Sequence, residues 1–314
     1  MHKMNQTSDI SFLLLGFQNS QIINELLLVM GEFAPFRFAE KFVNFARNSR
    51  NVSALRSPMY VLLSQLSVSD VLLSTSITPK ALRLLLNGGG TISTTGCITQ
   101  FYIYCVSETA EMFLLTVMSY DRYLAICSPI YYVSIMNFRL CLYMILCSWG
   151  LALILSLVLN LLTFNLQFCG PYVIDHYFCD FTPLIKLSCT DYKAVELTDI
   201  ILAIPFMLLP FCFILFSYVS IGLAILRISS TEGRHKAFST CSSHLIVVCM
   251  CYGTLIIIYT VPSKENKFNI KKMLSLLYKV GTPFSNPIVY SLRNNEIEVA
   301  LQKFVKSICL SNRK

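Results

Sequence analysis

Met118-Ser-Tyr-Asp-Arg-Tyr-Leu-Ala-Ile-Cys127 is a charged knot at the end of an apolar run. Immediately upstream, Met112-Phe-Leu-Leu-Thr-Val-Met118 carries no charge, and Asp121 and Arg122 then stand side by side. An ionised pair at the end of such a run is costly unless each charge neutralises the other or finds a further partner. Read alone, an adjacent Asp and Arg mark the place where a membrane helix meets water. What more they do depends on the sequence around them.

That sequence is poor in charge. Of its 314 residues, 55% are apolar and 13% charged, against roughly 25% charged in soluble domains. Several apolar segments are long enough to cross a bilayer, which takes ~20 residues each. The net charge of +8 raises nucleic acid as a partner. The Lys and Arg residues, however, sit in short segments between apolar runs, so membrane topology accounts for them and nucleic acid is excluded. Residues 2–9 are polar and no cleavage site follows a basic start, so the first membrane segment has to act as the insertion signal.

The chain has thirteen cysteines. Cys105, Cys127, Cys141, Cys147, Cys212, Cys241, Cys249 and Cys251 lie in or beside apolar runs, where Cys behaves as a small hydrophobe. Cys97, Cys169, Cys179 and Cys189 fall in polar loops. None has metal-ligand spacing, and two disulfides in an oxidising compartment fit them better, with three connectivities open. No Gly-x-Ser-x-Gly, phosphate loop or His-Glu-x-x-His is present, and His176, His235 and His244 are dispersed, so the chain does not read as an enzyme.

Five separated motifs give the chain its likeness to a known family. They are Pro58-Met-Tyr60 with Leu-Ser-Val-Ser-Asp70, the decapeptide ending at Cys127, the loop containing His176-Tyr-Phe-Cys-Asp180, Lys236-Ala-Phe-Ser-Thr-Cys-Ser-Ser-His-Leu245, and Pro287-Ile-Val-Tyr-Ser-Leu-Arg-Asn294. In this order they resemble the olfactory receptors, a branch of the class A G-protein-coupled receptors, over residues 57–308. Ser119 stands where the family usually has Ala. The resemblance implies an all-α membrane protein: a seven-transmembrane helix bundle with a short amphipathic eighth helix.

The second to seventh segments are expected at 58–86, 97–126, 140–164, 197–228, 236–261 and 270–292. Pro205 and Pro210 are expected to kink the fifth. At 296–308, Ile297, Leu301, Phe304, Val305 and Ile308 share one face opposite Gln302, Lys303 and Lys306, as in an interfacial helix. Arg47, Arg50, Arg56, Arg139, Arg227, Arg234, Lys236, Arg293, Lys303 and Lys306 fall on alternate loops, which makes that side cytosolic. Lys264, Lys267, Lys271 and Lys272, in an outer loop, count against it. The resulting division is an extracellular N-terminus at 1–21, a receptor domain at 22–308 and a cytoplasmic tail at 309–314. Asn5, in Asn5-Gln-Thr7, is then a glycosylation site, and the location is the plasma membrane with the N-terminus outside.

The first helix, at 22–46, is atypical. Glu32, Pro35, Arg37, Glu40 and Lys41 interrupt it, and each charge near a helix centre costs ~2.5–3.5 kcal/mol on insertion scales. Lys41-Phe42 stands where the family carries Gly-Asn, although the spacing from Leu-Gly-Phe17 to Pro-Met-Tyr60 matches. Preserved length with changed character is the pattern of a stretch read in a shifted frame and then restored. Comparison of the three reading frames of the coding DNA tests this.

Several charges lie inside the helices. Asp70 and Glu111 are carboxylates that the resemblance brings together with Asn286 as a candidate sodium site, oxygen ligands suiting a hard cation. Otherwise they form a protonated structural pair. Glu108 and Lys279 both depart from the family pattern, and two exceptions of opposite sign suggest that they compensate each other, as a structural bridge or with a polar or acidic ligand between them. The resemblance further implies a ligand cavity lined by Tyr104, Cys105, Glu108, Leu202, Phe206, Tyr252, Leu255, Ile256, Tyr259 and Lys279. It implies disulfides Cys97–Cys179 and Cys169–Cys189. It also implies an activation set in which Asp121, Arg122 and Tyr123 work with Tyr218, Pro287 and Tyr290.

The expected function is an odorant-type receptor that binds a small, mostly apolar molecule in the bundle, sits among membrane lipid and activates a stimulatory heterotrimeric G protein. No resident cofactor is expected. The competing readings are a non-functional receptor-like chain with a corrupted first helix, and a polytopic transporter using the intramembrane charges as a relay. A transporter would be expected to show inverted repeats, and none is visible.

Overall fold

The structure is a computed structural model and describes residues 11–16, 57–260, 272–276, 279 and 281. The expected first and eighth helices, Asn5, Pro287, Tyr290, Asn286 and the side chain of Tyr259 lie outside the described residues.

A short strand β1 (Ser11–Leu14) precedes α1 (Pro58–Asn87), β2 (Gly90–Ser93), α2 (Thr94–Cys127), α3 (Pro129–Ile135) and α4 (Phe138–Phe164). Strand β3 (Val173–Ile174), α5 (Phe181–Ile185), α6 (Lys193–Leu226) and α7 (Thr231–Thr260) follow. Residues 272–276 are again helical. Among the described residues, α1, α2, α4, α6 and α7 are the five helices long and apolar enough to cross a membrane.

The ends of these helices are set by local chemistry. Pro58 occupies the first turn of α1, where its missing N–H is no loss. Gly88, at φ 68°, ends the helix in the left-handed conformation that glycine adopts without a Cβ penalty. The Ser93 hydroxyl caps α2 by accepting from Gly96 N at 3.1 Å, and Asn137 caps α4 by accepting from Leu140 N at 2.9 Å. Helix α7 begins at Thr231, earlier than the expected 236. The reason is a cap: Gly233 N donates to Ser230 Oγ at 3.2 Å, and Glu232 in the first turn complements the helix dipole. Hydropathy alone misses such a polar first turn.

Helix α2 is the axis of the bundle, in contact with α1, α4, α6 and α7. Side-chain hydrogen bonds tie α1, α2 and α4 together. Ser69 Oγ donates to Ser107 O at 2.7 Å, Asn160 Nδ2 to Ile98 O at 3.2 Å, and Trp149 Nε1 on α4 to Gln65 Oε1 on α1 at 3.2 Å. In a bilayer, where apolar contact gains nothing over lipid, small residues and such polar bridges hold helices together. Leu146, Ile154, Leu209, Phe216 and Val219 on α4 and α6 are exposed, as side chains facing lipid are.

The sequence reading did not anticipate the sheet. Strand β1 is central, antiparallel to β2 and parallel to β3. Phe12 and Leu14 are fully buried, whereas Leu13 is 38% exposed, the period-two alternation of a strand with one covered face. The buried side joins Leu73, Phe101, Tyr104 and Phe178 in one cluster at this end of the bundle. A second cluster, built on Leu66, Leu115, Met118, Val247 and Tyr252, fills the other end.

Candidate functional site

At the far end of α2, Asp121 is fully buried. Arg122 Nε donates to its Oδ2 at 2.9 Å, and a terminal guanidinium nitrogen reaches the same oxygen. The other oxygen, Oδ1, accepts from the Tyr132 hydroxyl at 2.9 Å. Tyr132 lies on α3, which Pro129 starts immediately after α2. Burial and the Asp121 carboxylate both push its phenol up from the ordinary value. Asp121 is thus held by two partners, and nothing in the local pattern of the decapeptide announces the second.

Tyr123 and Tyr218 flank this end together, packing against Ile221, Ile225 and Cys241. Tyr218 is hydrogen-bonded to His244 Nδ1, the two rings stacking at 5.7 Å between centroids. His244, one of the dispersed histidines, is fully buried. The geometry therefore brings Asp121, Arg122 and Tyr132 into one knot, with Tyr218 and His244 as a second link between α6 and α7.

The sheet end is closed by a loop between α4 and α6. Cys97 and Cys179 are bonded, with Cα atoms 5.6 Å apart, and so are Cys169 and Cys189, at 5.7 Å. Gln100 locks the loop further. It accepts from Cys179 N at 3.0 Å and donates to Ser76 O at 2.8 Å. Strand β1 lies against the same loop, with Leu13 N donating to Tyr172 O at 2.7 Å, Leu15 N to Ile174 O at 3.1 Å and Gly16 N to His176 O at 3.2 Å. Lys272 fastens all three parts: it pairs with Asp175 and donates to Gly16 O at 3.3 Å.

His176 is packed beneath this latch, stacked on Tyr177 at 4.6 Å and edge-on to Phe178 at 4.7 Å. Burial, aided by the Lys279 and Lys272 ammonium groups and opposed by Asp180 and Asp175, pushes it down to about 4. Below the ordinary value of 6.5 the unfolded chain takes up this proton before the folded one. The resulting stability is complete above about pH 6.5, lost as pH falls towards about 4, and amounts to ~3 kcal/mol over that window. Acidification of purified protein from pH 7 to 5 is expected to lower its melting temperature, and His176→Phe is expected to flatten that dependence.

The side chains expected to line a ligand cavity divide between the two levels. Tyr104 and Cys105 lie in the sheet-end cluster, and Lys279 joins them, its ammonium 3.5 Å from the Tyr104 ring centre and 4.4 Å from that of Phe178. The charges acting on Cys105 are those of Glu108, Lys279, Asp180 and Asp199. Tyr252 and Leu255 lie in the other cluster, Tyr252 against Phe211 at 4.8 Å. Leu202 and Phe206 are half-buried, Phe206 edge-on to Phe113 at 6.3 Å. Ile256 is 49% exposed, on a different face from its buried neighbour Leu255. Asp70 and Glu111 are both buried, on the adjoining helices α1 and α2.

Glu108 and Lys279 do not form a direct ion pair, the first of the two arrangements open to them. The ion pairs among the described residues are Arg122–Asp121 and Lys272–Asp175. The aromatic faces of Tyr104 and Phe178 occupy the ammonium instead. Phe178, Gln100 and Tyr132 were missed by the sequence reading. Phe178 has one local signal, its place beside a bridged cysteine.

A bundle of membrane helices with a buried Asp-Arg knot at one end and a disulfide-tied loop over the other defines a G-protein-coupled receptor of class A. The family model for olfactory receptors matches residues 47–307. Olfactory receptor 10A7 of Homo sapiens is 40% identical over 307 residues, covering 96% of this chain and 95% of the relative. Olfactory receptor 1f45 of Rattus norvegicus is 41% identical, covering 96% and 97%. Olfactory receptor 2W1 of Homo sapiens is 40% identical, covering 98% and 96%. The chain belongs to the olfactory receptor family. It is an odorant-type receptor and a multi-pass membrane protein, and it is not an enzyme. The alignments with these relatives run through the atypical segment at 22–46, whereas the family match begins at residue 47.

Proposed function

We propose that this receptor binds a small, mostly apolar odorant in the bundle and couples to a stimulatory heterotrimeric G protein at the plasma membrane. Residues 1–21 are then extracellular, with Asn5 glycosylated, residues 22–308 are the receptor domain set among lipid, and 309–314 are cytoplasmic. The observation that carries the reading is that one helix, α2, bears Tyr104 and Cys105 beneath the capping loop and Asp121 and Arg122 at its far end. Side-chain rearrangement at one end of a rigid helix of about 50 Å biases the other, provided the ligand binds the two states with different affinity. Ligand contact falls to Tyr104, Cys105, Glu108, Leu202, Phe206, Tyr252, Leu255, Ile256, Tyr259 and Lys279. Coupling falls to Asp121, Arg122, Tyr123, Tyr218, Pro287 and Tyr290. Asp70, Glu111 and Asn286 are the oxygen donors available to a sodium ion.

The experiment is expression of an N-terminally tagged chain in cells carrying a cyclic AMP reporter, beside a version whose residues 32–50 are replaced by an ordinary apolar first helix. Tag staining of unpermeabilised cells and a glycosidase-sensitive mass shift are expected, with an odorant-dependent rise in cyclic AMP that Arg122→Ala abolishes. Surface staining by the repaired version alone would make this chain a damaged receptor. Surface protein silent to a broad odorant panel would overturn the coupling.

A further inference from the structure

We propose that Lys279 makes this receptor selective for small monocarboxylates, its ammonium receiving the ligand's carboxylate head while the tail lies among apolar side chains. This inference rests on the ligand-binding reading above and names the ligand class. Lys279 is 5% exposed, and an ammonium removed from water is costly unless partners offset the lost hydration. Its contacts are the faces of Tyr104 and Phe178. Ring faces attract a cation but offer its N–H groups no lone pair. An ammonium has three N–H donors, and among the described residues neither ion pair nor hydrogen bond of Lys279 is found. The group that completes this site is therefore an acceptor, and an anionic one forms the stronger, charge-assisted bond.

The surroundings narrow the class. Glu108 acts on the same Tyr104 whose ring face carries the ammonium. With Asp180 and Asp199, it is also among the charges acting on Cys105. Lys279 is the one cation beside three acids among the charges acting on Cys105, so an incoming anion is favoured at the ammonium. A monocarboxylate meets Lys279 there with its one charge. A dicarboxylate brings a second negative charge into surroundings that already hold Glu108, Asp180 and Asp199, and an amine brings a cation to the ammonium. A neutral ester of the same length keeps the tail contacts and loses the charge-assisted bond.

The test uses the full chain at the cell surface, cyclic AMP as readout, and straight-chain monocarboxylic acids beside their methyl esters, amines and dicarboxylic acids of equal length at neutral pH. The acids are expected to act at concentrations about tenfold or more below the esters, since losing one partner of a buried charged bond costs at least that. Amines and dicarboxylates are expected to be silent. Lys279→Met should remove the acids' advantage over the esters, and Lys279→Arg should keep it. Equal potency of acids and esters on the unaltered receptor overturns the proposal without any variant having to fold. So does an acid advantage that survives in Lys279→Met. If other odorants activate the receptor and the acids do not, the carboxylate assignment fails and the receptor reading stands. If a surface-expressed chain answers to nothing, that reading fails and takes this inference with it.

Discussion

Asp121→Asn is expected to raise ligand-independent cyclic AMP production several-fold at equal surface expression. The carboxylate is fully buried and is held by Arg122 Nε at 2.9 Å, a second guanidinium contact and the Tyr132 hydroxyl at 2.9 Å. Asn has the same shape and no charge, so the substitution leaves a mostly buried guanidinium, 13% exposed, without its counter-charge. Breaking one partner of a buried pair costs about 3–5 kcal/mol. That cost falls on the state in which Arg122 rests against position 121, and the state in which Arg122 has swung away is spared it. A differential of even ~3 kcal/mol shifts the equilibrium about a hundredfold. A minor active state populated well below one per cent would then become readily measurable.

Two companions make the test specific. Arg122→Ala should be silent, with or without Asp121→Asn, because it removes the group that is released. Tyr132→Phe should give a smaller rise than Asp121→Asn, since it deletes one hydrogen bond to a charged group, about 1.5–3 kcal/mol, and leaves the pair intact. Basal signalling unchanged in Asp121→Asn would mean that the pair does not restrain activation.

What the sequence makes legible, and what it hides, follows the range of the interactions involved. The helices are legible because apolar runs of bilayer length have no soluble alternative, and the Asp121–Arg122 pair is legible because its members are adjacent. Tyr132 is not, because it reaches Asp121 only after Pro129 starts a short helix that folds back. Strand β1 is too short to declare itself. Its alternation of Phe12 and Leu14 against Leu13 acquires meaning only once β2 and β3 flank it. Lys279 stands out in the sequence as an intramembrane cation, and the sequence points to a carboxylate such as Glu108 as its partner, since charge is what a sequence displays. The structure assigns it rings instead, one of them in a loop a hundred residues away along the chain.

Cys97→Ser or Cys179→Ser is expected to cut surface delivery to roughly a tenth or less, since removing a native disulfide costs about 2–5 kcal/mol, on the scale of a marginal fold's whole stability. This bond spans 82 residues, and on the chain-entropy account a loop of that length gives about 4.5 kcal/mol. Its removal reaches beyond the bond. Both cysteines are fully buried, Cys179 N donates to Gln100 Oε1, and Phe178, one of the two rings holding Lys279, is next to Cys179 in the chain. A freed loop would therefore loosen the ammonium's seat and the β1–β3 contact together. The second bridge differs in both respects. Cys169 and Cys189 are exposed and span 20 residues, so Cys169→Ser should lose less surface protein. The double variant Cys97→Ser/Cys179→Ser should be no worse than either single one, because the two residues contribute through one bond. A double variant markedly worse than both would mean that each cysteine also matters separately, through its own packing, and that the bond is not the main restraint on the loop.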